Sequence, residues 1–114
     1  MAITRQFLTG STFGGAIGLA TSVPTTIHTS TTAANTSDEV HVWISNTAAS
    51  TVTLTVYLGA TGTSAIALYE VPPSAGLFLV CPGLSFASGR VVSAVGGVTN
   101  LFAYGFVNRL TTGA

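Results

Sequence analysis

Three observations predict an all-β fold, a single antiparallel β-sandwich of jelly-roll-like or Ig-like type with about eight strands. Apolar residues alternate with polar ones at a period of two. Gly, Pro, Ser and Asn clusters interrupt the chain at intervals of about 8–12 residues. No segment carries an apolar stripe at helical spacing, and none opens with a capping box before an apolar run. The 114 residues allow one domain, read as a sandwich over 13–114 preceded by an N-terminal arm or edge strand over 1–12.

Taken in order, Ile3 to Leu8 reads as a strand or an extended arm, and Ala16–Ala20 and Val23–Thr29 have strand composition. Ser30 to Ser37 is a Ser/Thr/Ala/Asn stretch that reads as a surface loop. In Glu39 to Ser45, Val40, Val42 and Ile44 take the inward face and His41, Trp43 and Ser45 the outward one. Asn46 to Ser50 is a polar connection of hairpin length, leading to Thr51–Leu58 with Val52, Leu54, Val56 and Leu58 on one face. Gly59 to Thr63 reads as a turn and Ser64 to Val71 as a strand, closed by Pro72-Pro73. Leu77 to Cys81 reads as a short strand ended by Pro82-Gly83, and Val91–Val95 as another closed by Gly96-Gly97. The last strand, Thr99 to Leu110, sets Phe102, Tyr104 and Phe106 on one face and Leu101, Ala103, Gly105 and Val107 on the other.

Charge is scarce. Arg5, Arg90 and Arg109 balance Asp38, Glu39 and Glu70, there is no lysine, and 5% charged residues compare with about 25% in an ordinary domain. Thr, Ser, Gly and Ala stand in place of charges. A lone surface of this kind invites association, so neighbouring chains are expected to cover much of it. Three scattered arginines cannot neutralise a run of phosphates, which excludes a nucleic-acid partner. No apolar run approaches the about 18 residues of a spanning helix, and Met1–Leu8 is not followed by a secretory apolar run; neither membrane nor export is expected. The single cysteine, Cys81, forms no internal disulfide and reads as a small buried hydrophobe.

His28, His41, Asp38 and Glu39 are the only grouped metal-capable residues, without the dense Cys/His spacing of a structural zinc site. No nucleophile elbow occurs, a P-loop lacks its lysine, and three acids are too few for paired-carboxylate hydrolysis. No catalytic, cofactor or metal site is expected, and no enzyme. The stripe Phe102, Tyr104, Phe106 reads either as core or as a surface facing a neighbouring subunit, and outward-facing Trp43 raises the same question. Interface candidates are Arg5, Phe7, Trp43, Tyr57, Phe102, Tyr104, Phe106 and Arg109, with Arg5 and Arg109 expected to pair with acids on a neighbouring chain.

The stretch Val42-Trp43-Ile44-Ser45-Asn46-Thr47-Ala48-Ala49-Ser50-Thr51-Val52-Thr53-Leu54-Thr55-Val56 resembles small β-sandwich proteins of tailed bacteriophage particles, in which Ile-x-Asn-Thr leads through a polar turn to Val-Thr-Leu. Gly83-Leu84-Ser85-Phe86-Ala87-Ser88-Gly89-Arg90-Val91-Val92-Ser93-Ala94 is similar to their Gly-Leu-x-Leu-x-x-Gly-Asp-x-Ile-x-Ala segment, with Arg90 where the pattern has an acid; Tyr104-Gly105-Phe106-Val107 follows in the closing strand. The resemblance implies a virion structural protein assembled in the host cytoplasm. It points to a head decoration (cement) protein, commonly a homotrimer bound to the major capsid protein or another virion protein. A tail, neck or fibre module that binds carbohydrate is the other reading, with Trp43 or Tyr57 stacking on sugar rings. On the first reading, Met1–Thr12 is expected to reach a neighbouring chain and add a strand to its sheet.

Overall fold

The computed structural model describes residues 2–59, 66–74, 76–97 and 100–112. The alternating segments form nine strands: β1 (Ala2–Phe7), β2 (Ile17–Gly18), β3 (Thr25–Thr29), β4 (Thr36–Asn46), β5 (Val52–Leu58), β6 (Ile66–Val71), β7 (Phe78–Phe86), β8 (Val91–Gly96) and β9 (Leu101–Thr111). No helix is present among the described residues. The number of strands agrees with the expected eight or so; β2, inside the expected Ala16–Ala20 segment, is a two-residue rung on β9.

The strands make two antiparallel sheets, β1-β9-β4-β7 with β2 also on β9, and β3-β8-β5-β6. Partners nest: β5 with β6, β4 with β7, β3 with β8, and β1 with β9. A nested ladder folded over on itself, joined laterally by β4·β9 and β5·β8, is a jelly roll. The sandwich expected from the sequence is therefore present, with its topology now specified.

The pleat places the core as the alternation requires. On β4, Val40, Val42 and Ile44 are fully buried; Val80 of β7 and Ala103 and Val107 of β9 extend this layer within the same sheet, and Ile27, Leu54, Val56, Val92 and Ala94 face it from the other sheet. Burying side chains of this size contributes about 1.5–3 kcal/mol each before entropy is counted. The buried row of β4 ends in a polar residue on each side, Asp38 and Asn46.

Three expectations are corrected. The Asn46–Ser50 connection is no hairpin, because β4 and β5 lie in different sheets. Both neighbours of β4 are already taken, by β9 and β7, and its apolar row meets that of β5 face to face rather than side by side. Asn46 shapes this arch, donating from Nδ2 to the carbonyls of Ser50 (3.0 Å) and Val71 (2.9 Å) and accepting from Ala48 N–H (2.8 Å). Next, Pro82-Gly83 does not end a strand; β7 continues through it to Phe86 with two register shifts. Proline is tolerated there because β7 is a sheet edge, and Gly83, at φ 89°, supplies the bend. The Ser30–Ser37 stretch is also not simply a surface loop. Ser30 and Thr31 are buried against the end of the core, and Thr36 and Ser37 already belong to β4. Of the two readings of 1–12, β1 takes that of an edge strand, paired with β9 of its own chain over its whole length. Residues 60–65 and 98–99, which take in most of the expected 59–63 turn and the starts of two expected strands, lie outside the described residues.

Candidate interaction surface

The outward face of the five-stranded sheet is built by cross-strand register. Phe7 of β1, Phe106 of β9 and His41 of β4 lie side by side, and the next pair along is Tyr104 with Trp43. Because β4 and β9 approach closely, these rings stack. His41 lies on Phe106 at 4.7 Å between centroids and 18° between planes, and Trp43 lies 6.0 Å from Phe106 and 6.3 Å from His41. The close approach depends on Gly105, opposite Val42, where an added Cβ would collide with the His41 carbonyl. Arg5 completes the column, its guanidinium carbon 4.5 Å from the Phe106 ring centre, a cation–π contact.

A polar row borders the rings. Glu39 accepts from Asn108 Nδ2 (3.3 Å) and pairs with His41 Nε2 (2.9 Å). The hydrogen bond from His41, then that from Asn108, holds the Glu39 carboxyl below the usual carboxylate range. Beside Arg5 a cleft of about 520 Å³ opens, lined by Gln6, Phe7, Phe13, Gly14, Gly105 and Phe106. Phe13 is 87% exposed and has a φ of 51°, an uncommon conformation for a bulky residue. Ile3, Phe7 and Leu79 add further exposed apolar area.

The expected interface residues divide. Arg5, Phe7, Trp43, Phe102, Tyr104 and Phe106 share this face, so the aromatic stripe of β9 lies outside the core. Tyr57 does not belong with them; it sits on β5, on the outer side of the other sheet, paired with Ser93. Arg109 is corrected outright. It points to the opposite side of β9 and binds Asp38 of its own chain, Nε to Oδ1 at 2.8 Å and Nη2 to Oδ2 at 3.1 Å. Arg5 has no acid partner among the described residues and rests on Phe106 instead. His41, Asn108, Gly105 and Phe13 were missed as participants. For His41 the signal was present, in its alternation with Trp43.

The four metal-capable residues separate into two pairs on opposite faces of β4. Asp38, fully buried, receives Arg109, the Thr31 N–H (3.0 Å) and His28 Nε2 (2.8 Å). His28 Nδ1 accepts the Thr9 N–H at 3.1 Å, which assigns the ring proton to Nε2. Burial pushes the Asp38 carboxyl up, but the bonds from Arg109, His28 and Thr31 outweigh it, leaving Asp38 below the usual range. Asp38 in turn raises Arg109. Both oxygens of Asp38 receive donors of its own chain, and the network closes this end of the sandwich. Among the described residues no three His, Cys, Asp or Glu side chains converge. Cys81 is buried, its thiol pushed up by burial and donating to the Val40 carbonyl at 3.3 Å.

No protein family, curated protein or solved structure matches this chain.

Proposed function

We propose that this chain is a structural protein of a bacteriophage virion, a decoration protein that stabilises the head by bridging shell subunits. The observation that carries the reading is the outward face of the five-stranded sheet. Stacked His41, Trp43 and Phe106, with Arg5 on one end, occupy a position where a water-facing sheet normally carries charges. Aromatic and Arg side chains of this kind are enriched at protein interfaces, while Lys, Glu and Asp are depleted. Their mutual stacking fixes the rings before binding, which lowers the ordering cost of association. Contacts that are weak singly become strong when several shell subunits are engaged together. The jelly roll recurs in viral capsid domains and in lectins, a likeness of fold that favours the reading by analogy.

The cleft bounded by Arg5, Phe7, Phe13 and Phe106 favours the second reading, a tail, neck or fibre module that holds a sugar ring against an aromatic wall. Purified particles separate the two. On the decoration reading the protein is present in many copies per head, and particles lacking it release their DNA at lower temperature. Equal heat resistance with and without the protein, or its absence from heads, would overturn that role. Quenching of the single tryptophan, Trp43, by soluble glycans supports the second reading instead.

A further inference from the structure

The sandwich has four edges, and three of them are blunted. Edge β7 is broken by Pro82 and two register shifts. Edge β3 carries a register shift between Thr26 and His28, and the Thr9–Gly10 segment covers it, through Thr29 N–H to Thr9 Oγ1 (2.7 Å) and Gly10 N–H to the Ile27 carbonyl (2.9 Å). Edge β6 carries Glu70 and runs into Pro72-Pro73. Bulges, prolines, charges and covering segments are the ordinary devices against edge-to-edge pairing.

Edge β1 has none of them. It pairs with β9 in unbroken register from Ala2 to Phe7, without proline or bulge. Its other side makes no backbone hydrogen bond among the described residues. Its one charge, Arg5, is drawn off the edge onto the Phe106 ring. Every residue from Ala2 to Phe7 except Gln6 is exposed, so both faces of the strand are open as well as its edge.

We propose that β1 is the site at which a second copy of this chain pairs, antiparallel, so that the two five-stranded sheets become one continuous sheet about a two-fold axis. This goes beyond the virion reading and does not depend on it. A two-fold axis normal to the sheet passes through a residue paired with itself, and only two registers keep most of β1 in the ladder. The one centred on Arg5 sets two guanidinium groups opposite each other, which is unfavourable. The one centred on Thr4 pairs Thr4 with Thr4 and lays Ile3 across from Arg5 of the second copy, apolar side chain on aliphatic stem. The structure therefore selects the Thr4 register. Two neutral copies of this chain also meet without net repulsion. A two-fold pair stands in place of the three-fold group that the resemblance implies.

Sedimentation of the purified full chain over a range of concentrations tests the pairing apart from any particle. The wild type should double in mass as concentration rises. Ile3→Lys, which brings an ammonium opposite Arg5 twice per pair, should raise the dissociation constant about tenfold. Ile3→Glu, losing the same apolar area but facing Arg5 with opposite charge, should bind more tightly than Ile3→Lys. Leu68→Lys on edge β6 should change nothing. Thr4→Cys should crosslink under mild oxidation, because facing Cα atoms of an antiparallel pair lie about 4.5–5.5 Å apart, within disulfide range. Native Cys81 is buried and does not compete. A wild type that stays monomeric throughout, an Ile3→Lys chain that associates as well as wild type, or preferential crosslinking of Arg5→Cys overturns the proposal. None of these results bears on whether the protein resides in virions.

Discussion

Asp38 and Glu39 are neighbours on one strand, carry the same functional group, and each hold a histidine at nearly the same distance, 2.8 and 2.9 Å. The pleat sends them to opposite sides of the sheet, and everything else about them then differs. Asp38 is shielded from water and receives Arg109 and a backbone N–H besides His28. Glu39 is partly exposed and shares its oxygen between His41 and Asn108. Identical pair chemistry is structural where solvent is excluded. On the open face it sets the orientation of a ring in the outward aromatic stack. Side-chain type alone does not decide function in a sheet; parity does.

The largest effect expected on this contrast comes from Asp38→Ala. It leaves the buried His28 and the partly exposed Arg109 without their carboxylate and should cost about 2–3 kcal/mol in denaturant unfolding, a sizeable part of the about 5–15 kcal/mol that holds an ordinary domain together. Glu39→Ala should leave the unfolding midpoint close to wild type; equal losses for the two would break the comparison.

Acid comes second. The folded carboxyl of Asp38 lies below its ordinary value of 3.8, so the unfolded chain binds the proton more readily. Stability from this group is fully present above about pH 4 and disappears as pH falls through the lower folded value. Denaturant midpoints measured across that range should drop steeply for wild type and much less for Asp38→Asn. A Glu39→Gln chain should track wild type closely.

Smaller still is Phe106→Leu, which removes the ring shared by His41, Trp43 and Arg5. Each aromatic pair contributes about 0.5–1.5 kcal/mol, so thermal unfolding should shift modestly while Trp43 emission moves as its stack is lost. An unchanged spectrum would mean the stack does not persist in solution. The least effect is expected from Thr55→Lys, on the threonine-bearing outer side of the other sheet, within about 0.5 kcal/mol of wild type.

Much of this was legible in local pattern. The alternation of Val40, Val42, Ile44 and of Val52, Leu54, Val56 named the buried rows, and that of β9 separated Phe102, Tyr104 and Phe106 from Leu101, Ala103 and Val107. Period two, however, records which residues share a face and is silent on which strands are neighbours. Nearness in sequence suggested that β4 and β5 pair; they face each other across the core instead. The Asp38–Arg109 bond joins residues 71 apart, so the two appeared as separate charges, one of them assigned to a foreign partner. Pro82-Gly83 looked like an end because proline forbids a central strand, and its place on an edge emerges only from the whole topology. Phe13 carries no periodic signal, since its display depends on backbone conformation in a connection rather than on a strand.

The nested pairing has a consequence for how the protein is made. The innermost hairpin, β5·β6, joins neighbours and can form early, but β4 stays without its β9 partner until residue 111 has been added, and β1 waits equally long. Contacts this distant in sequence make closure slow. During that interval the apolar row Val40, Val42, Ile44 and the edge of β4 are open to other chains. A newly made copy is thus most adhesive before β9 has been added, and its yield should depend on how quickly β9 follows β4 from the ribosome.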